Sequence, residues 1–276
     1  MISRTFFLFK FSFAYSIYTS ILATLQVQQN TERIFKRCGM PDKRKHRGAH
    51  PQDSSLFCQE KNAALRQAAA DYSLLLTKEY PQNATLKLVG DKFELTERQR
   101  LAVMRSSCSD SQLGERLIRQ LQTAELAGRD ILIDGYNILI TIESAISGGF
   151  LFVGRDGCMR DLAGLHGTYR KVNETIPAIE LINGTLTELK AKNACWLLDK
   201  PVSNSGRLKG IIESTKVNFH IEVKLLNNPD AELIQSEQIV ATSDSDVLDK
   251  AKMWVNLAEF VIRNYVKNAC IIDLRI

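Results

Sequence analysis

The sequence predicts an α/β protein, with a parallel sheet flanked by helices and a small helical domain in front of it. Three observations predict this. Apolar runs recur after residue 128, and three end in aspartate: Ile131-Leu132-Ile133-Asp134, Trp196-Leu197-Leu198-Asp199 and Ile239-Val240-Ala241-Thr242-Ser243-Asp244. Continuous apolar runs of this length read as buried parallel strands. Helical patterns separate them, and strands alternating with helices form right-handed crossovers onto one sheet. Before residue 128 the apolar residues fall at helical spacing instead.

Residues 1–39 differ from the rest. Phe, Tyr, Ser and Ile dominate Phe6 to Leu25, and Lys10 interrupts the run. Three readings fit: a targeting peptide, a disordered extension, or an assigned start upstream of a true one at Met40. A membrane span is disfavoured by the hydroxyls and the length. Residues 40–54 form a basic tail, in which Lys43 to His50 reads as a solvated tract or, alternatively, a phosphate-binding arm.

Residues 55–127 form the expected helical domain. Leu65, Ala68, Ala69, Tyr72, Leu75 and Leu76 have helical spacing within Ala63 to Thr77. Thr96-Glu97-Arg98-Gln99 is a capping box, and Leu113 to Leu126 gives a third helix. Lys87, Lys92, Arg98, Arg100 and Arg105 read as a solvated face, with an RNA contact as the alternative. Gly128 marks the boundary to the α/β domain, residues 128–276.

Within that domain the expected strands are Ile131–Ile133, Cys195–Leu198, Ile221–Leu226 and Ile239–Ala241. Phe150–Val153 and Cys158–Leu162 read as a hairpin around Gly154-Arg155-Asp156-Gly157. The expected helices are Ile138–Ser147, Glu174–Lys190, one capped by Ser205 and running to about Lys216, one opened by Asn228-Pro229-Asp230, and Asp246 to about Tyr265.

The chain has 276 residues, a net charge of +5 and 45% hydrophobic residues, the profile of a soluble globular protein. A mildly basic balance is compatible with nucleic acid. The six cysteines have no Cys-x-x-Cys spacing, which argues against a zinc site or disulfide framework and for reduced cytoplasmic thiols. Cys195 reads as a small core residue. No phosphate-binding glycine loop, dinucleotide fingerprint or nucleophile elbow occurs. The four histidines lack ligand spacing, and His166 reads as a loop residue rather than a general base.

The chemistry lies in the acids. Asp134 and Asp199 end strands, Asp230 and Glu232 open the helix after the third strand, and Asp244 follows the fourth, with Asp246 and Asp249 behind it. Each falls on the carboxyl side of a strand, where open α/β sheets bind ligands. Singly, such residues are ordinary caps, and Asp249 reads as a cap or surface charge. Together they are expected to converge. Clustered carboxylates repel unless a hard cation neutralises them, so at least three of these acids, Asp134, Asp199, Asp230, Asp244 and Asp246 being the candidates, read as a Mg²⁺ or Mn²⁺ site. Such a site suits phosphodiester cleavage. Asn137 adds an amide for a water or phosphate. Thr242 and Ser243 add hydroxyls and N–H groups for substrate.

At these residues the chain resembles the PIN-like nuclease superfamily. Asp134-Gly135-Tyr136-Asn137 resembles the first motif of its NYN branch, Leu198-Asp199 the second, Asn228-Pro229-Asp230-Ala231-Glu232 the third and Ala241-Thr242-Ser243-Asp244 the fourth. The resemblance covers about residues 130–265. It implies a Rossmann-like sheet and a Mg²⁺- or Mn²⁺-dependent endoribonuclease, in which Asp134, Asn137, Asp199, Asp230 and Asp244 form the catalytic set. The hairpin at Gly154 and the segment Lys200-Pro201-Val202-Ser203-Asn204-Ser205-Gly206 depart from the basic NYN pattern. From Met40 onward the chain also resembles the domain of unknown function 434 proteins, through Leu86-Lys87-Leu88-Val89-Gly90-Asp91 and Arg98-Gln99-Arg100; that resemblance implies no activity. The expected function is thus a metal-dependent ribonuclease with RNA as partner. The alternatives are a non-catalytic RNA- or protein-binding module on the same fold and a metal-dependent phosphatase.

Overall fold

In the computed structural model, residues 46–164 and 169–276 are described, and they lie in one compact unit. The expectations for residues 1–39, for a start at Met40 and for His166 fall outside them. The helical part consists of α1 (Asp53–Leu56), α2 (Asn62–Thr77), α3 (Gln82–Lys92), α4 (Glu97–Ser106) and α5 (Asp110–Arg119). The capping box at Thr96 is present, with Gln99 closing it reciprocally. A second, at Ser109 and Gln112, opens α5. That helix begins and ends earlier than its apolar spacing predicts. After Arg119 the chain extends as β1 (Gln120–Leu121), then makes a 3₁₀ turn, Thr123–Leu126. Arg119 bonds the carbonyls of Asp249 and Ala251, tying the helix end to the α/β part.

The basic residues are largely spent on internal pairs. Arg98 grips Asp53 with two hydrogen bonds, Arg100 and Lys87 bind Asp91, and Lys92 binds Asp71. The expected solvated tract is also anchored where it is described. Arg47 Nε donates to the fully buried Glu143 at 2.8 Å and its guanidinium lies over the Tyr169 ring, while His46 meets Glu174.

The chain then enters β2 (Asp130–Asp134), α6 (Gly135–Ile146), β3 (Phe150–Val153), β4 (Met159–Arg160), α7 (Thr175–Glu188), β5 (Asn193–Asp199), α8 (Ser205–Glu213), β6 (His220–Leu226), α9 (Pro229–Gln235), β7 (Ile239–Ala241), α10 (Ser245–Leu248), β8 (Trp254–Val255), α11 (Leu257–Tyr265) and β9 (Cys270–Asp273). Six strands form one sheet in the order β1-β8-β7-β2-β5-β6, every pair parallel. β2 is central because its apolar residues serve both faces. Ile131 and Ile133 pack in the large core with residues of α6, α7, α8 and α11, whereas Leu132 packs with Leu233 of α9 and Val247 of α10.

Two boundaries differ from expectation and a third agrees. The single helix expected from Asp246 to Tyr265 is two, α10 and α11, separated by β8. Its apolar pair Trp254-Val255 hydrogen-bonds into the sheet, and Trp254 Nε1 donates to the Arg116 carbonyl at 2.7 Å. The residue before α8 is Asn204, in the left-handed region at φ 71°, and Ser205 is the helix's first residue. Asn228 does cap α9, accepting from the Ala231 N–H, with Pro229 in the first turn.

The hairpin forms as expected, with Phe152 opposite Arg160 and Val153 opposite Met159; Gly157 takes the positive φ of 78° that its turn requires. β9 adds to it in parallel, making a three-stranded sheet, β4-β3-β9. This small sheet joins the two parts of the chain. Phe152, Ile272 and Leu274 share a core with Phe57, Leu65, Ala68 and Val103 of the helical part. Residues 128–276 expressed alone should therefore expose this apolar face and lose β1. We expect that fragment to be insoluble or molten, with dye binding and no cooperative melt; a cooperative melt would show that the helical part is dispensable.

Candidate functional site

The strand order reverses at β2. From it the chain runs outward to β5 and β6, then returns to place β7 on β2's other side. The crevice beyond the carboxyl ends of β2 and β7 is thus the sheet's switch point, where ligands of open α/β sheets bind. Asp134 is the last residue of β2, and Asp199 the last of β5. Gly135 must be glycine here, since a Cβ would stand 2.7 Å from the Leu197 carbonyl and 2.5 Å from a Leu198 methyl. That close approach starts α6 tight against β5.

The segment after β7 organises the crevice. Thr242 Oγ1 donates to Asp134 Oδ2 at 2.6 Å and accepts from the Asp244 N–H at 3.0 Å. Asn137 Oδ1 accepts from both the Ser243 N–H at 2.8 Å and the Ser243 hydroxyl at 2.7 Å. Because a backbone N–H can only donate, the atom facing it is the amide oxygen, and Asn137 Nδ2 points elsewhere as a donor. Thr242 and Ser243 are 1% exposed. Their hydroxyls fix Asp134 and Asn137 rather than opening toward solvent. Asp244 Oδ1 caps α10 through the N–H groups of Asp246 and Val247.

Four of the predicted acids are linked through their charges. Burial pushes the Asp134 carboxyl up to about 7, against the Thr242 hydrogen bond, and the charges of Asp244, Asp230 and Asp199 push it further. Asp230, at the start of α9, is raised by desolvation and then by Asp244, Asp199 and Asp246. Asp199 is raised by desolvation. Asp246 is exposed at the rim. Glu232 is exposed on α9 and acts on Cys195, part-way along β5, not on this group. Among the described residues, no three acidic, histidine or cysteine side chains are close enough together to hold one ion. The Tyr136 hydroxyl is buried with no hydrogen-bond partner among the described residues, and desolvation and then the Asp199 charge raise its pKa.

Asp249 is no surface charge. Arg116 Nε donates to it at 2.6 Å, as does Gln112 Nε2. Arg116 Nη1 also binds Asp156, which Arg160 grips bidentately at 2.9 and 2.6 Å. Arg160 Nε then donates to the Ser243 carbonyl at 2.7 Å, and Arg116 Nη2 to the Ser245 carbonyl at 3.3 Å. Two buried arginines, one from each part of the chain, thus clamp the segment that holds Asp134 and Asn137. Sequence spacing gave no sign of them: Arg160 lies on a hairpin strand and Arg116 on an amphipathic helix, each an ordinary surface position by pattern.

An open, all-parallel α/β sheet with an acidic crevice at its switch point defines the class. Residues 123–260, half of the chain, match the family described as Domain of unknown function (DUF5616), and residues 64–119 match Protein of unknown function (DUF434). An uncharacterized protein of Methanocaldococcus jannaschii is 32% identical over 190 residues, covering 67% of this chain and 89% of that protein. The chain belongs to the family described as Domain of unknown function (DUF5616), and this uncharacterized archaeal protein is its relative. No solved structure matches it. Among the described residues no helix is long and apolar enough to cross a membrane.

Proposed function

We propose that this protein is a metal-dependent ribonuclease on a PIN-like, NYN-type fold, hydrolysing phosphodiester bonds in the crevice beyond β2 and β7. One observation carries the reading. Asp134 ends β2 at the switch point, where burial and then the charges of Asp244, Asp230 and Asp199 raise its pKa to about 7. A group of carboxylates at one sheet edge suits a hard divalent ion. Mg²⁺ keeps much of its water and takes one or two carboxylates plus substrate phosphate, so it needs no closed protein cage. One or two of Asp134, Asp199, Asp230 and Asp244, together with water and substrate phosphate, would hold Mg²⁺ or Mn²⁺, with Asp246 at the rim. When bound, the ion supplies charge for the phosphate and an acidified water.

The chain's own residues do the positioning. Thr242 holds the Asp134 carboxylate in one orientation, and Ser243 occupies Asn137 Oδ1, which leaves Nδ2 as a donor for the bound nucleotide. The scattered cysteines support a cytoplasmic setting. The test is cleavage of end-labelled structured and unstructured RNA in Mn²⁺ and in EDTA. We expect Mn²⁺-dependent internal cuts; hydrolysis of a phosphomonoester alone would replace this reading with the phosphatase. A binding module is the second reading, favoured by the absence of three acids at single-ion spacing among the described residues. It predicts that RNA is retained but never cut.

A further inference from the structure

A cavity of about 410 Å³ opens beside the acidic crevice, in the joint between the two parts of the chain. Its size falls within the range of about 300–1,000 Å³ typical of small-molecule sites. Leu76, Gln82, Met104 and Arg105 line it from the helical part, with Ile140 and Asn137 opposite on α6. Ser243, Asp244 and Asp246 also line it, so cavity and crevice share a wall. Neither part of the chain encloses this space alone.

We propose that the cavity takes the base of one nucleotide, next to the phosphodiester bound in the crevice; this rests on the ribonuclease reading. Three features select a nucleotide. Met104, Leu76 and Ile140 offer apolar surface for the faces of a planar ring. Asn137 Nδ2 is a donor directed by Ser243 and lacks a partner among the described residues, and the exposed Gln82 carries a second amide. Amides of this kind read base edges. Arg105 spends Nη1 on the Asp161 carbonyl at 2.5 Å, and its Nε and Nη2 have no partner among the described residues, which leaves them for a neighbouring phosphate. An unstacked base in a side pocket is how single-stranded RNA is read.

The experiment measures binding of an end-labelled single-stranded RNA hexamer to the full chain in EDTA, by fluorescence anisotropy. An abasic hexamer and the four nucleoside 5′-monophosphates serve as competitors. Met104→Trp fills the cavity from a position 38% exposed, where a larger side chain leaves the fold intact, and Gln82→Ala removes an exposed amide. We expect Met104→Trp to weaken hexamer binding by at least about tenfold and Gln82→Ala to weaken it less. The abasic hexamer should compete poorly. Competition by a monophosphate as effective as the hexamer would support the pocket with a free nucleotide as its ligand. Equal binding of normal and abasic hexamers, unchanged binding by both cavity variants, or no binding of any nucleotide would overturn the proposal. Cleavage in Mn²⁺, measured separately, tells such a failure from failure of the ribonuclease reading.

Discussion

Asp156→Ala is expected to destabilise the protein by roughly 3–5 kcal/mol, the cost of stripping a buried ion pair of one partner. Asp156 is 4% exposed, Arg116 1% and Arg160 6%. Without the carboxylate the two guanidiniums face each other inside the protein. The clamp on Ser243 and Ser245 should loosen with them. Burial alone would raise the Asp156 carboxyl, but Arg160, Arg116 and the Cys158 N–H outweigh it and hold it down at about 2. Its folded pKa is thus below its ordinary 3.8, so the stabilisation is complete above about pH 4 and lost as pH falls toward 2. Urea denaturation at neutral pH, with melting curves between pH 2 and 5, measures both effects. Asp156→Asn keeps volume and some hydrogen bonds and should lie between. A change within about 0.5 kcal/mol for Asp156→Ala, the size of an ordinary surface substitution, would refute the clamp.

Asp134→Asn is expected to abolish Mn²⁺-dependent cleavage and to stabilise the metal-free protein. The signs follow from one shift. Burial and like charges raise the folded pKa from 3.8 to about 7. Below pH 4 the group is neutral in both states and costs nothing. Between pH 4 and 7 the unfolded chain ionises first, so stability falls as pH rises, and above 7 the full penalty remains. At about 1.4 kcal/mol per unit, that penalty is at most a few kcal/mol. Asn keeps an oxygen for the Thr242 hydroxyl and removes the charge. In EDTA the variant should melt higher than wild type at pH 8 and about equally at pH 4. Added Mn²⁺ should raise the melting temperature of wild type more than that of the variant. A variant less stable than wild type at pH 8, or an equal Mn²⁺ shift, would contradict the acidic-site argument.

The strand ends were legible because each motif combines apolar run, acid and turn within a few residues. Asp134 and Asp199 fall on one rim because parallel strands share it, but the expected convergence on one ion does not follow from that rule: no three acids among the described residues stand at single-ion spacing. The hairpin at Gly154 and the Asn228 cap were readable for the same local reason. What escaped was non-local. Trp254-Val255 looks helical in sequence and is a strand only because β7 and β1 flank it. Asp249 reads as a surface charge until Arg116, far away in sequence, meets it. Arg47 reads as part of a solvated tract until Glu143, buried on α6, pairs with it. Thr242 and Ser243 were expected to face a ligand, and instead their hydroxyls bond to neighbouring side chains of the crevice. Period and composition say which face of a helix is apolar, but not which distant charge will be buried against it.

The arginine clamp also constrains descent. Arg116 comes from the segment matched as DUF434, and its acidic partners Asp156 and Asp249 from the segment matched as DUF5616. With Arg160 the group is electrically balanced, two cations against two anions. A lineage that dropped the helical segment would keep Arg160 on Asp156 and leave Asp249 without Arg116 and Gln112, a net charge where the group is now neutral. Any homologue consisting of the α/β part alone should therefore have replaced Asp156 or Asp249 with an uncharged residue, or recruited a cation from elsewhere. The two segments thus complete one charge group that neither balances alone.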